Sequence, residues 1–373
     1  MKKYLLVITI ILLSLIPIDL LSQVNSELLL EGTTVFAIEA EPDFLWVATY
    51  GHGIFKYSKK DQKWSNFSTS SNNLENDLFY SLAVGKDFVW AGSVEGLFIY
   101  DKKRNKWTKR KFAQGGEMGN WIRSLYYDAS QNVLWIGRFS NLTRLEVSKN
   151  KYTDYNLTQG SDLKSNNFKS IKADGDSIIW FGTESGVHKF YKKKNIDDKN
   201  NWQYISNKKN GFNGEGDAVS VSDFLFEGEN VWFATDEFVT AQQPQFNMGG
   251  AYRFNRKLRW DRISKQNGLA ANGIYCIERT GNTIWLGLYY FDKKEKKEYG
   301  KGLAAINRVT GRLTQIDLNS LEITSSTFYN LLFDGTFMWA GTDKGLLKIE
   351  IDNPLAKWDL KKNKKDKVQT HIK

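Results

Sequence analysis

A tryptophan-centred phrase recurs seven times in the 373-residue chain, and no other feature narrows its folding options so far. Each copy runs apolar residue, Trp, two small or apolar residues, then in most copies Thr or Ser before a glycine-containing turn. The tryptophans are Trp46, Trp90, Trp135, Trp180, Trp232, Trp285 and Trp339, spaced 44, 45, 45, 52, 53 and 54 residues apart. Self-similarity at a near-constant period of this size belongs to solenoids and propellers, in which one supersecondary unit stacks against copies of itself.

Each period holds four short runs of strand composition; in the second copy they are 79–84, 88–92, 96–100 and 106–112. An apolar residue stands eight positions before the Trp in five copies (Ile38, Leu82, Phe224, Ile277, Leu331), and Leu125 and Ile171 stand slightly further back in the other two. The fourth run often carries a second aromatic: Trp64, Trp107, Tyr152, Trp202, Trp260 or Trp358. Glycine turns between runs two and three supply the positive φ of a tight hairpin, and no helical periodicity competes. The pattern predicts an all-β, seven-bladed β-propeller of four-stranded antiparallel blades. The blades are expected near 33–68, 77–113, 119–158, 167–206, 217–264, 272–318 and 326–360. The motif Trp is a packing residue first, because both faces of a blade are covered by its neighbours. Two closures are open: four strands in both terminal copies with no exchange, or Leu28–Leu30 adding an outer strand to blade seven.

With the motifs laid out, the chain resembles the two-component regulator propeller repeats of Bacteroidetes-type extracytoplasmic sensors. Gly268-Leu269-Ala270-Ala271-Asn272-Gly273-Ile274-Tyr275-Cys276-Ile277 followed by Ile284-Trp285-Leu286-Gly287 matches most of that consensus, and Met338-Trp339-Ala340-Gly341-Thr342-Asp343-Lys344-Gly345-Leu346 matches the rest. The resemblance covers roughly 33–360. It implies an extracytoplasmic recognition scaffold, stand-alone here, whereas such sensors usually add a second propeller, a further β-domain, a membrane helix and a kinase.

Residues 1–22 read as a secretory signal peptide: Met1-Lys2-Lys3, an apolar run to Ile16, then Pro17, Asp19 and the small Ser22. Pro17 and Asp19 cut the run short of the ~20 apolar residues of a spanning helix; an uncleaved anchor is the alternative. Residues 23–360 are assigned to the propeller and 361–373 to a basic tail. Residues 359–373, with six Lys and two Asp, carry +4 of the formal +10, so a mildly basic body and an export signal disfavour nucleic acid as a partner. The expectation is a periplasmic or extracellular, monomeric protein that has no membrane span after cleavage. One Cys excludes a disulfide framework and Cys-rich metal sites.

The longer periods locate extra sequence at 236–250, 288–302 and 207–217, all on the face where strands two and three are joined. Loops on a rigid scaffold are the usual place for function. Trp121, Phe238, Phe246, Tyr289, Tyr290 and Tyr299 are therefore the candidate ligand-binding residues, suited to stacking on a glycan, a peptide or a protein partner. A second candidate is a polar column five residues before each core position: Thr33, Asp77, Asn120, Asn166, Asn272 and Ser326, with Val219 as the exception. It reads either as turn chemistry that starts each strand or as a ring around the channel mouth. No catalytic, metal or cofactor site is assigned. A streptogramin-lyase-like propeller with a His and a divalent metal is the enzymatic alternative, and a structural envelope protein is a third. His52 and His188 lack partners at metal-ligand spacing, and Cys276 reads as a buried thiol.

Overall fold

Every Trp phrase becomes the second strand of a four-stranded antiparallel sheet, and seven such sheets are present. The computed structural model describes residues 26–351 apart from 72, 113–115, 208, 217, 239–248 and 320–321. The signal segment 1–22, the tail 361–373, Trp358 and Phe246 lie outside the described residues. The innermost strands are Thr34–Ala40, Ser81–Val84, Ile122–Asp128, Phe168–Asp174, Val221–Phe226, Gly273–Thr280 and Phe328–Phe333. Blade four adds a two-residue parallel segment, Asn210–Gly211, outside its fourth strand.

The phrase can now be read physically. Six of the seven motif tryptophans are at most 2% exposed, packed between neighbouring blades, and Trp285 is partly buried. Buried indoles need an acceptor for their N–H. Trp46, Trp232, Trp285 and Trp339 find theirs five residues upstream, in Glu41, Glu227, Thr280 and Asp334, at 2.7–2.9 Å. In the phrase's fifth position the hydroxyls of Thr49, Thr183, Thr235 and Thr342 donate to the carbonyls of Gly53, Gly186, Gly250 and Gly345, closing the hairpin.

The glycine after the Trp marks where blades approach most closely. A Cβ on Gly182 would stand 2.2 Å from Ser170 Oγ and 2.8 Å from the Val221 carbonyl oxygen of blade five. Successive blades are also laced by backbone bonds. The N–H groups of Gly51, Asn141, Gly186 and Gly302 donate to the carbonyls of Asp77, Asn166, Val219 and Ser326 in the loop that begins the next blade.

Ring closure follows the second expectation and corrects the first. Ser26–Leu29 pairs antiparallel with Leu346–Glu350, Ser26 opposite Ile349 and Leu29 opposite Leu346, so the N-terminal strand is the outer strand of blade seven. The pairing completes blade seven as a four-stranded sheet and ties the two ends of the ring together through backbone hydrogen bonds. Leu28 and Leu29 of the apolar stretch Leu28-Leu29-Leu30 lie in this closing strand.

Candidate functional site

On entering the blade, six of the seven innermost strands slip register once. Phe36, Arg123, Lys169, Ser222, Tyr275 and Tyr329 are the residues skipped by the ladder, and Tyr80 holds the same place just before Ser81. A bulge re-aims a side chain and is a common device beside binding sites. All seven side chains line one central cavity of about 770 Å3. Three residues deeper on the same strands, Glu39, Tyr126, Lys172 and Leu332 line its lower part.

The two sides of the mouth differ chemically. One side is aromatic: Phe36 lies 5.5 Å from Tyr80, 4.7 Å from Tyr329 and 5.8 Å from Tyr50, and Tyr329 lies 5.1 Å from Tyr275. Tyr80 continues the arc to Trp121, which stacks on Phe139 at 5.3 Å. The other side is ionic. Arg123 Nη1 donates to Glu184 at 2.7 Å, and Lys169 is paired with Asp236. Asp236 also accepts from Ser220 and, at 2.9 Å, from the Tyr289 hydroxyl. Burial alone would raise the Asp236 carboxyl, but the Lys169 charge and these bonds outweigh it and hold it below the usual carboxylate range.

Deeper in the channel Lys172 pairs with Asp223 at 2.7 Å. Glu39 forms no hydrogen bond or ion pair with the described residues, and burial pushes its carboxyl up to about 7 against the counteracting charge of Lys172. Burial likewise raises Glu278 and Glu298. Glu298 accepts 2.5 Å from the Tyr275 hydroxyl at the mouth.

The candidates read from sequence are distributed unevenly over this site. Trp121 lines the cavity. Tyr289 does not present an exposed ring: it is 1% exposed, stacked on Tyr275 at 4.0 Å. Segment 288–302 is not a loose loop but an extension of Thr283–Asp292 and Lys297–Asn307 into one long hairpin. Strand alternation therefore puts Tyr289 and Glu298 on its channel face. Tyr290 and Tyr299, stacked at 5.4 Å, fall on the opposite face. Phe238 is partly buried near Lys164, away from the cavity lining.

The polar column does not ring the cavity with free oxygens. The side chains of Asp77, Asn120, Asn166 and Asn272 accept the backbone N–H of Thr69, Phe112, Leu157 and Lys265 at 2.7–2.8 Å. They fasten the chain leaving one blade to the start of the next. Thr33 is buried, and Ser326 contributes through its carbonyl. The channel-facing residues stand three positions after each member of this column, an offset in the sequence that the column itself pointed to.

His188 is 1% exposed, its ring nitrogen 2.8 Å from the Ser165 carbonyl, and burial lowers it to about 4. Cys276 is buried with its Sγ 3.3 Å from the Phe328 carbonyl. His52 is exposed in the blade-one hairpin, and among the described residues no group of three or more His, Cys, Asp or Glu is placed to hold a metal. No helix of the described residues is long and apolar enough to cross a membrane.

No protein-family model and no curated protein matches the chain. Solved structures do. The extracellular domain of the one-component system BT4673 from B. thetaiotaomicron superposes with a TM-score of 0.65 at 17% identity, covering 89% of this chain and 40% of that one. PorZ, a bacterial surface component of the type-IX secretion system of Porphyromonas gingivalis, gives 0.60 at 12%, covering 85% and 46%. Virginiamycin B lyase from Staphylococcus aureus also gives 0.60 at 12%, covering 88% and 99%. This chain thus spans less than half the length of the first two. The structural neighbours include extracellular domains of a Bacteroides regulator, in keeping with the repeat resemblance, and at these identities what is shared is the propeller.

Proposed function

We propose that this protein is an exported, non-catalytic recognition propeller of the sensor type, and that its ligand, a glycan or peptide, seats in the central mouth on the face of the strand two–three hairpins. The observation that carries this reading is the convergence on one cavity of six bulged side chains and Tyr80, aromatic on one side and ionic on the other. Binding cavities of this volume are mostly apolar with a few placed polar groups, and flat rings beside carboxylates and amines suit stacking with directed hydrogen bonds. Export rests on the basic and apolar pattern of residues 1–22 and on the extracellular neighbours. Mass spectrometry of the native protein is expected to find a mature N-terminus near Gln23.

The binding test is a glycan and peptide screen of the full chain followed by tryptophan fluorescence, with Tyr80→Ala and Trp121→Ala as probes of the mouth. Both substitutions should weaken the best ligand at least about tenfold, as expected when a stacking partner worth about 1.4 kcal/mol or more is removed. Saturable binding that both variants retain unchanged sinks the site.

A further inference from the structure

The charge balance of the cavity narrows the ligand. Three cations line it, and each already has a carboxylate: Arg123 with Glu184, Lys169 with Asp236, Lys172 with Asp223. An anionic ligand would have to break one of these pairs to find a partner. Two lining carboxylates have no cation of their own among the described residues. Among the described residues the Glu39 side chain has no hydrogen bond or ion pair and feels Lys172 only at a distance, and Glu298 accepts only the Tyr275 hydroxyl. Glu278, on the blade-six strand, accepts the Arg279 N–H at 2.7 Å and shares the field of Lys172 with Asp223 and Glu39.

The aromatic arc stands level with Glu298 and above Glu39. Phe36 is on the same strand as Glu39, three residues nearer the mouth, and Tyr275 bonds Glu298 directly. Aromatic faces attract organic cations through the ring quadrupole, more strongly where water is partly excluded. A neutral ring system would use the aromatic wall alone and leave the carboxylates desolvated and uncompensated, which is unfavourable. A metal ion is a poor occupant, since no three of these carboxylates are gathered to coordinate one.

We infer that the cavity takes an organic cation: an ammonium group enters across the Phe36–Tyr80–Tyr329 wall, past Glu298 at the mouth, and is held by Glu39 below it. The inference rests on the proposed function and adds the charge class to it. An amine of this kind is carried by a free alkyl diamine or by a lysine side chain of a peptide.

Calorimetry on the full chain at pH 8 separates the possibilities. The probes are 1,5-diaminopentane, the isosteric 1,5-pentanediol, pentanedioate, and the blocked peptide Gly-Gly-Lys-Gly-Gly. The diamine, the peptide or both should bind at least about tenfold more tightly than the diol and the diacid, and the tighter of the two names the source. Glu39→Gln should weaken the cation about tenfold, and Phe36→Leu, which keeps the apolar volume but removes the ring face, should weaken it too. Glu298→Gln is the second carboxylate variant and keeps the test open if the first perturbs the channel. Diacid or diol binding as tight as the diamine, or unchanged cation affinity in both carboxylate variants, overturns the inference. A neutral ligand that depends on Tyr80 and Trp121 while no cation binds overturns this inference and leaves the proposed function standing. Loss of every ligand at the mouth ends both.

Discussion

Replacing Glu39 with Gln should make the protein more stable at pH 8 and leave it nearly unchanged at pH 4. The Glu39 carboxyl rises from 4.5 to about 7 on folding, because burial in the channel outweighs the attraction of Lys172. Below pH 4.5 folded and unfolded chains both hold the proton, and the carboxyl costs nothing. Between pH 4.5 and about 7 the unfolded chain releases its proton first, so stability falls as pH rises; above about 7 the loss is constant. At 1.36 kcal/mol per unit the ceiling is about 3 kcal/mol. Glu39 is only partly buried where it lines the channel, so solvent screening cuts the figure and about 1–2 kcal/mol is the expected gain from Gln. Urea unfolding of both proteins at pH 4 and pH 8 measures the difference, provided the transition is two-state. A gain of the same size at both pH values would mean packing, not charge, and a loss at pH 8 would show that Glu39 has a favourable partner in solution. Either result refutes the reasoning.

Three further outcomes follow from the geometry. Gly182→Ala forces a Cβ against Ser170 and the Val221 carbonyl, and should cost about 1–3 kcal/mol by overpacking; the double variant with Ser170→Ala should recover only part of this in thermal melts, since the backbone contact remains. His188 is held neutral, down to about 4. The unfolded chain therefore gains a proton first as pH falls below 6.5, and up to about 3 kcal/mol is lost by pH 4; His188→Gln should flatten that acid limb, and an unchanged limb would assign it to other groups. Deleting residues 26–29 strips the cover from Leu346–Glu350 and should lower the melting temperature and promote association through the bared edge; light scattering and a melt unchanged within a degree would place the closure elsewhere.

The blade count was legible because packing enforces it. A Trp sealed between sheets, a Gly where sheets nearly touch and a hydroxyl that clamps a hairpin are local demands repeated in most blades, so they print as a phrase. The channel is different. Its lining is one residue per blade, and Phe36, Tyr80, Arg123, Lys169, Ser222, Tyr275 and Tyr329 share no chemistry, only an offset of three from the polar column. A search for similarity passes over positions whose content varies. Tyr289 and Tyr290 show the opposite error: adjacent aromatics in a long insertion read as one exposed cluster, whereas the period of two in a continuous hairpin sends one to the channel and one away. Leu28 and Leu29 were ambiguous because a closing strand is paired with residues more than 300 positions away, and nothing near them in sequence announces the partner.

The closing strand also decides how the ring responds to tension. Ser26 lies opposite Ile349, so the two ends of the propeller leave it side by side, from the same end of one antiparallel pair. A pull applied through both ends loads the hydrogen bonds between Ser26–Leu29 and Leu346–Glu350 one rung at a time, a peeling geometry, instead of shearing all of them together. Blade seven would open at low force while blades one to six, whose four strands are contiguous in the chain, stay shut. Stretched between two attachment points, the molecule would behave as a latch with a defined place of release.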